Sequence, residues 1–241
     1  MGSYFNWSSG KDSVLALYKV LEDPSISISK LVTTVNGEVD RVSMHGLRIS
    51  LLKMQARSVG IPLQMVALNG NISMEAYDRT MRTLMSDLKG QGYTKAFFGD
   101  IFLEDLRKYR EDRLAEVGIK AVFPLWKGDT KKLMAEFLDA GFKAITVCVN
   151  AKYLDPSFCG RKVDMDFLNE LPEGVDACGE NGEFHTFVYD GPIFQFPVDF
   201  TIGEIVKKRY GPSKDGDDCF SKEDLVWDNE FWFCDLLPTE S

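Results

Sequence analysis

No Cys-x-x-Cys pair occurs in this sequence. Its five cysteines, Cys148, Cys159, Cys178, Cys219 and Cys234, are an odd number without metal-ligand spacing. That excludes a zinc framework and suits a reducing cytoplasm. Histidine is scarcer still, with His45 and His185 alone. No apolar run approaches the ~20 residues of a membrane span. The N-terminus lacks a charged, apolar, cleavable signal, so a cytoplasmic protein without a membrane partner is expected. Positive charge is also short. A net charge of −9 and a pI near 4.9 argue against a broad nucleic-acid surface, though not against a local basic pocket. Internal repeats and low-complexity segments are missing as well.

What is present reads as a globular protein. A chain of 241 residues, 44% hydrophobic and 27% charged, can bury a sizeable core as one large or two small domains. The organising stretch is Trp7-Ser8-Ser9-Gly10-Lys11-Asp12-Ser13. Residues 4–7 form a short apolar run, a buried strand. Val14, Leu17, Tyr18 and Leu21 then recur at helical spacing. Residues 8–13 are therefore a tight turn between a first strand and a first helix. Small residues let the backbone approach a ligand, the helix N-terminus favours an anion, and Lys11 adds positive charge. Lys11 and Asp12 are expected at the surface. The turn is not a Walker A loop, in which Ser or Thr directly follows the Lys; here Asp12 does.

Strands at 30–35, 62–68, 94–98 and 121–123 alternate with helices, which implies a parallel sheet covered on both faces. Thr33, Thr34 and Val35 end the second strand and are candidates to line an adenine pocket. His45, ahead of the next helix, is a cap, a surface residue or a catalyst. The helix at 74–89 has Tyr77, Met81, Leu84 and Leu88 as its core stripe. Gly99-Asp100-Ile101 ends the fourth strand, where a glycine and a carboxylate suit close approach to a ligand or Mg²⁺. The next helix points Leu103, Leu106, Leu114 and Val117 inward and leaves Lys108, Arg110 and Arg113 in solvent. A domain boundary near Trp126 divides the chain into residues 1–126 and 127–241. Beyond it come a helix capped at Asp129 or Thr130, a strand at 143–149, an exposed loop at 213–218 and a last strand at 230–237.

The second dense stretch is Cys178-Gly179-Glu180-Asn181-Gly182-Glu183-Phe184-His185-Thr186-Phe187-Val188-Tyr189-Asp190-Gly191-Pro192. Asn181-Gly182 is a turn signal between two carboxylates. Residues 184–189 alternate as a strand, with Phe184, Thr186 and Val188 on one face and His185, Phe187 and Tyr189 on the other. A surface hairpin with solvated glutamates would look the same. The concentration of ionisable and aromatic groups around flexible glycines favours a site.

Residues 8–13 resemble the pyrophosphate loop, Ser-Gly-Gly-x-Asp-Ser, of ATP pyrophosphatases, with Ser9 at the pattern's second position, where it has Gly. Together with Gly99-Asp100-Ile101, Pro124-Leu125-Trp126, Gly160-Arg161 and residues 179–192, the chain resembles the diphthine–ammonia ligase family over residues 4–237. The resemblance implies an adenine-nucleotide α-hydrolase-like, Rossmann-like α/β domain followed by a smaller α/β substrate domain. It implies an ATP-dependent amide ligase that adenylates a carboxylate, diphthine or a related and possibly protein-bound acceptor, and couples it to ammonia. AMP and pyrophosphate are the products. Members that make diphthamide tend to have Glu-Thr where this chain has His185-Thr186. That variant, with Met44-His45-Gly46, resembles the family's bacterial branch, so reaction class carries over better than acceptor.

On this reading Ser8, Ser9, Gly10, Lys11 and Ser13 hold the phosphates and the departing pyrophosphate. Thr34 and Gly99 complete the nucleotide site, and Asp12 and Asp100 take Mg²⁺. Ammonia is mostly ammonium near neutral pH, so a base is needed, and Glu180, Glu183 and His185 are the candidates. The face of His185, Phe187 and Tyr189 would set a base beside aromatic surface for a cationic acceptor. Rival readings are another pyrophosphate-loop enzyme such as a tRNA-thiolating ligase, a non-catalytic ATP sensor and a partner-binding scaffold. A homodimer and the source of the ammonia stay open.

Overall fold

The computed structural model describes residues 2–42, 46–68, 73–210 and 229–239. His45 and the expected loop at 213–218 lie outside them. The strand β1 (Gly2–Asn6) is buried on its central residues Ser3, Tyr4 and Phe5, as a strand flanked on both sides must be. It runs into α1 (Lys11–Leu21), whose buried residues are Lys11, Ser13, Val14, Leu15, Ala16, Leu17 and Val20. There follow β2 (Ile28–Asn36), β3 (Arg41–Val42), α2 (Ile49–Val59), β4 (Leu63–Leu68), α3 (Met74–Gly90), β5 (Tyr93–Phe97), α4 (Glu104–Glu116) and β6 (Lys120–Val122). In the first sheet β1 pairs in parallel with β2 and β5, β2 with β4, and β5 with β6; the short β3 is antiparallel to β2. The spatial order of the parallel strands is thus β4-β2-β1-β5-β6. The chain builds outward one way from β1 and then returns to build the other way. That makes the carboxyl ends of β1 and β5 the switch point where open α/β sheets take ligands.

The second half holds α5 (Thr130–Asp139), β7 (Lys143–Asn150), β8 (Lys162–Val163), α6 (Met165–Asn169), β9 (Phe184–Asp190), β10 (Phe200–Tyr210) and β11 (Asn229–Pro238). Asp129 caps α5, its carboxylate accepting from Lys132 N at 3.0 Å. Every pairing in this sheet is antiparallel, with β7 bound to β8, β9 and β11, and β11 to β10. One continuous apolar core contains Phe5, Leu17, Phe137, Phe184 and Phe187, so both sheets share it. Two arginines from the first half, Arg41 and Arg48, close on Asp235 of β11 at 2.6 Å each. They hold the Asp235 carboxyl down at about 2, the hydrogen bond from Arg48 contributing most.

Several expectations need correction. Leu103 is exposed rather than inward, and Leu21, the last of the helically spaced apolar residues of α1, is exposed too, because each lies at a helix end beyond the reach of the core. Arg110 and Arg113 do not lie free in solvent: Arg110 pairs with Asp100 and Arg113 with Asp78 and Glu116. β10 went unread, though its Thr201, Ile202, Ile205, Val206 and Tyr210 are strand formers.

The turn between β1 and α1 is strained at one residue. Ser9 has φ +71°, a left-handed conformation that costs an L-residue ~1–2 kcal/mol. This explains why the pyrophosphate-loop pattern has Gly at that place. Ser9 is also fully buried, and its Oγ has no partner among the described residues, a further cost of ~1–3 kcal/mol. Against these, glycine loses ~0.5–1 kcal/mol of chain entropy. Ser9→Gly is therefore expected to stabilise the ligand-free protein by at least ~1 kcal/mol, a rise in Tm of at least ~2–4 °C for a chain of this size. A thermal melt that moves downward would contradict this account of the turn.

Candidate functional site

The turn is built from both halves of the chain. Trp7, at the end of β1, donates its Nε1–H to Gln55 Oε1 at 2.7 Å, and its carbonyl accepts from Thr33 Oγ1 at 2.7 Å. Gln55, wholly buried on α2, donates in turn to the carbonyls of Ser9 at 2.9 Å and Val188 at 2.7 Å. Val188 N donates to Ser9 O at 3.1 Å. Ser8, Gly10 and Ser13 bond among themselves: Ser8 Oγ to Ser13 Oγ at 3.0 Å, Gly10 N to Ser8 Oγ at 3.3 Å and Ser13 Oγ to Gly10 O at 3.0 Å. The first residue of the helix is held from outside, since Lys11 N donates to Thr186 Oγ1 of β9 at 3.0 Å. Gly10 itself makes no side-chain cap.

Lys11 is not at the surface. Its side chain is 2% exposed, while that of Asp12 is 28% exposed. The ammonium donates to both Asp12 oxygens, at 2.8 and 3.0 Å, and to the Cys178 carbonyl, and it lies 5.2 Å from the centre of the Phe184 ring. Burial works against its charge, but Asp12, with Cys178 and Glu180 beyond, outweighs burial and raises its pKa. A buried ammonium is stable only where such partners converge.

Residues 178–188 thus pack directly on residues 8–13, and the glutamates are not solvated. The Glu180 carboxyl receives Ile101 N at 3.4 Å. Burial pushes it up to about 7, aided by the negative charge of Asp12 and opposed by Lys11. Glu183 differs. It is 2% exposed and accepts from Asp176 N at 3.1 Å, Asn181 N at 2.9 Å and Asn181 Nδ2 at 3.0 Å. Those bonds make it the staple of the turn rather than a group facing the cleft. Asp176 does similar work: its carboxylate takes Cys178 N, Glu180 N and the Thr130 hydroxyl.

Asp100 follows Gly99 at the end of β5. Gly99 sits so close to α1 that an added Cβ would lie 2.8 Å from Ser13 N, so glycine is needed here for close approach. Burial raises the Asp100 carboxyl, against the pull of Arg110 and with a further push from Asp12. Asp12, Asp100 and Glu180 therefore feel one another at the switch point. Thr34 is half-buried near the carboxyl end of β2, one residue beyond the Thr33 that anchors Trp7.

The expected aromatic face of β9 is not a cleft surface. Phe187 is wholly buried, and Phe187 and Tyr189 both pack edge-on against Phe200. By the alternation of the strand, His185 shares that side, while Thr186 and Phe184 meet Lys11. Four residues that shape the site were not read as such from sequence: Gln55, Asp176, Thr186 and Arg110. Gln55 left one signal, a polar side chain one turn after Leu51 on the apolar stripe of α2.

The chain also matches known proteins. Residues 1–121 match the family model of the diphthamide synthase N-terminal domain, and residues 129–213 that of the C-terminal domain. A diphthine–ammonia ligase from Danio rerio is 28% identical over 187 residues, covering 71% of this chain and 73% of the relative. One from Mus musculus is 33% identical over 110 residues, covering 43% of this chain and 41% of the relative. Among solved structures, one described as a predicted subunit of tRNA methyltransferase from Methanocaldococcus jannaschii aligns over 78% of this chain and 96% of its own. Its TM-score is 0.45 and its identity 16%. With more than half of its length matched by these two models, the chain belongs to the diphthamide synthase family.

Proposed function

We propose that this chain is an ATP-dependent amide ligase. It adenylates a carboxylate, couples the acyl group to ammonia, and releases pyrophosphate and then AMP. The observation that carries this reading is Lys11, a buried ammonium at a helix start that the Cys178 carbonyl, 167 residues away, also holds. The relatives are named diphthine–ammonia ligases, which supports diphthine or a related carboxylate as acceptor. We further propose that residues 1–126 take the nucleotide and residues 127–241 contribute the acceptor side. Four described thiols are free and buried, and among the described residues no helix is long and apolar enough to cross a membrane. Both features suit a cytoplasmic setting.

The chemistry follows from charge. A carboxylate oxygen attacks the α-phosphorus of ATP, and the bond to the bridging oxygen breaks as pyrophosphate departs. Negative charge grows on the leaving group, where Lys11 and the backbone at the start of α1 would stabilise it. Ser9 Oγ, buried without a partner among the described residues, would be a further donor for a phosphate oxygen. Ammonia then attacks the acyl carbon, AMP leaves, and the extra proton on nitrogen passes to a base. Glu180, with a carboxyl near neutrality, suits that role.

The donor set also fits Mg²⁺, a hard cation that takes one or two carboxylates together with substrate phosphates. Among the described residues no three acidic, His or Cys groups are gathered enough to hold a metal unaided, which suits an ion that arrives with nucleotide. Asp12 and Asp100 would hold it. Bound there, it would neutralise phosphate charge.

Incubation with ATP, Mg²⁺, ammonium and an acceptor-containing extract is expected to yield AMP and pyrophosphate. ADP and phosphate as main products would place the protein in another ATPase class. Lys11→Met should reduce AMP release at least ~100-fold, the scale of losing one such electrostatic donor. It should also lower Tm, since it strips a partner from Asp12 and from the Cys178 carbonyl.

Glu180 gives two pH signatures. As a base it acts only when ionised, so AMP release should rise with pH through about 7, and Glu180→Gln should lose ~10²–10⁴ of the rate. Its folded pKa lies above its ordinary value of 4.5. The stability it contributes is therefore complete below 4.5 and is lost as pH rises through about 7. Without nucleotide, the Tm of the parent should fall relative to Glu180→Gln over that interval. Parallel melting curves across it would remove the proposed perturbation.

A further inference from the structure

We propose that Arg110 is a phosphate-holding residue of the site, kept in reserve by Asp100 and released to the nucleotide's phosphate oxygens when nucleotide enters. The proposal rests on the ATP-binding reading above and adds a residue outside the loop motif.

Four cations lie on α4. Lys108 pairs with Asp112, Arg113 with Asp78 and Glu116, and Arg107 with Glu111 while stacking on Trp126. Those pairs are made on α4 itself or with α3. Arg110 instead reaches back to the sheet end, its Nη1 lying 2.5 Å from Asp100 Oδ2. The Arg110 side chain stays 28% exposed, that of Asp100 only 12%. It lies over the Phe98 ring, 4.5 Å from the centroid, so the ring holds the guanidinium in place. Asp100 in turn follows Gly99, whose backbone abuts Ser13 of the loop.

The site therefore contains two matched ion pairs, Lys11 with Asp12 and Arg110 with Asp100, with Glu180 near enough to feel the charge of both carboxylates. In this state both carboxylates already have cations. Phosphates entering beside two carboxylates would be repelled unless those charges are redistributed. The matched pairs allow an exchange: the cations turn to phosphate oxygens, and the carboxylates turn to the cation that accompanies the nucleotide. A guanidinium is suited to this, since its planar fork can meet two phosphate oxygens at once. The cost falls on Asp100, which is buried and loses its partner. Without a divalent cation, the exchange should be opposed by Asp100 itself.

That opposition gives the test its sign. Binding of inorganic pyrophosphate and, separately, adenosine would be measured by calorimetry with and without Mg²⁺. The proteins are the parent, Arg110→Gln, Arg110→Lys and Asp100→Asn, each checked by thermal melt. Arg110→Gln is expected to weaken pyrophosphate binding at least tenfold and leave adenosine unchanged, with Arg110→Lys between it and the parent. Asp100→Asn, which frees Arg110, is expected to tighten metal-free pyrophosphate binding several-fold. Removing the Asp100 charge would by itself favour an anion, so the gain must vanish when Arg110→Gln is added to Asp100→Asn; a gain that survives in the double variant overturns the proposal. The proposal is overturned if both Arg110 variants bind pyrophosphate like the parent, or if Asp100→Asn fails to tighten metal-free binding. Should Arg110→Gln not fold, Arg110→Lys and Asp100→Asn decide. A parent that binds neither adenosine nor pyrophosphate would sink the ATP reading as well. A parent that binds both, with variants unchanged, sinks only the role of Arg110.

Discussion

The fold depends on satisfying one buried ammonium. Lys11 lies at the start of α1, where the helix dipole already disfavours a cation. Burial adds to the penalty. The compensation comes from two directions, the adjacent Asp12 and the Cys178 carbonyl from the far half of the chain. The same seam is stitched by Lys11 N to Thr186, by Gln55 to Val188 and by Val188 N to Ser9. The turn after β1 is therefore a tertiary structure, shaped as much by β9 as by its own residues. An anion that draws Lys11 toward it must compete with the Cys178 carbonyl, so occupancy of the turn and the placing of residues 176–183 are energetically linked.

Topology explains why the seam lies where it does. β1 is central in the parallel sheet, and the switch of direction sets its carboxyl end beside that of β5. The loop follows the first and Gly99-Asp100 the second, and the two abut at Ser13. The antiparallel sheet lays the Phe184 and Thr186 face of β9 on the loop. The long-range pair of Arg41 and Arg48 with Asp235 fastens the other side of the two sheets. Both halves thus present charged groups to one place without sharing a strand.

Much of this was legible in the sequence, and the rest was hidden for identifiable reasons. Strand and helix positions in the first half follow from periodicity, because each element buries one face against a common core. The turn at 8–13 and the glycine at 99 were legible because both need close backbone approach. The burial of Lys11 was not, since nothing local signals that a carbonyl 167 residues away will meet it. Arg110 read as part of a solvated charged face, which is the common fate of such a stripe. Its capture depends on Asp100 lying ten residues earlier at a strand end. The aromatic face of β9 misled in the opposite way. Alternation assigned the right residues to it, but Phe200 from another strand covers it.

Glu180 and Glu183 make the limit of sequence reasoning concrete. They are the same residue type, three positions apart, on either side of one Asn-Gly turn. Glu183 is met by two backbone N–H groups and one side-chain amide, which satisfy its oxygens and fix it. Glu180 has one long bond from Ile101 N and the charges of Asp12, Asp100 and Lys11 around it. Bonds of the first kind hold a turn rigid. Surroundings of the second kind leave a carboxyl able to gain and lose a proton near neutrality. The division of labour is set by how many N–H donors the fold aims at each carboxylate. Asp176, which draws the N–H groups of Cys178 and Glu180 to its own oxygens, is the residue that arranges it.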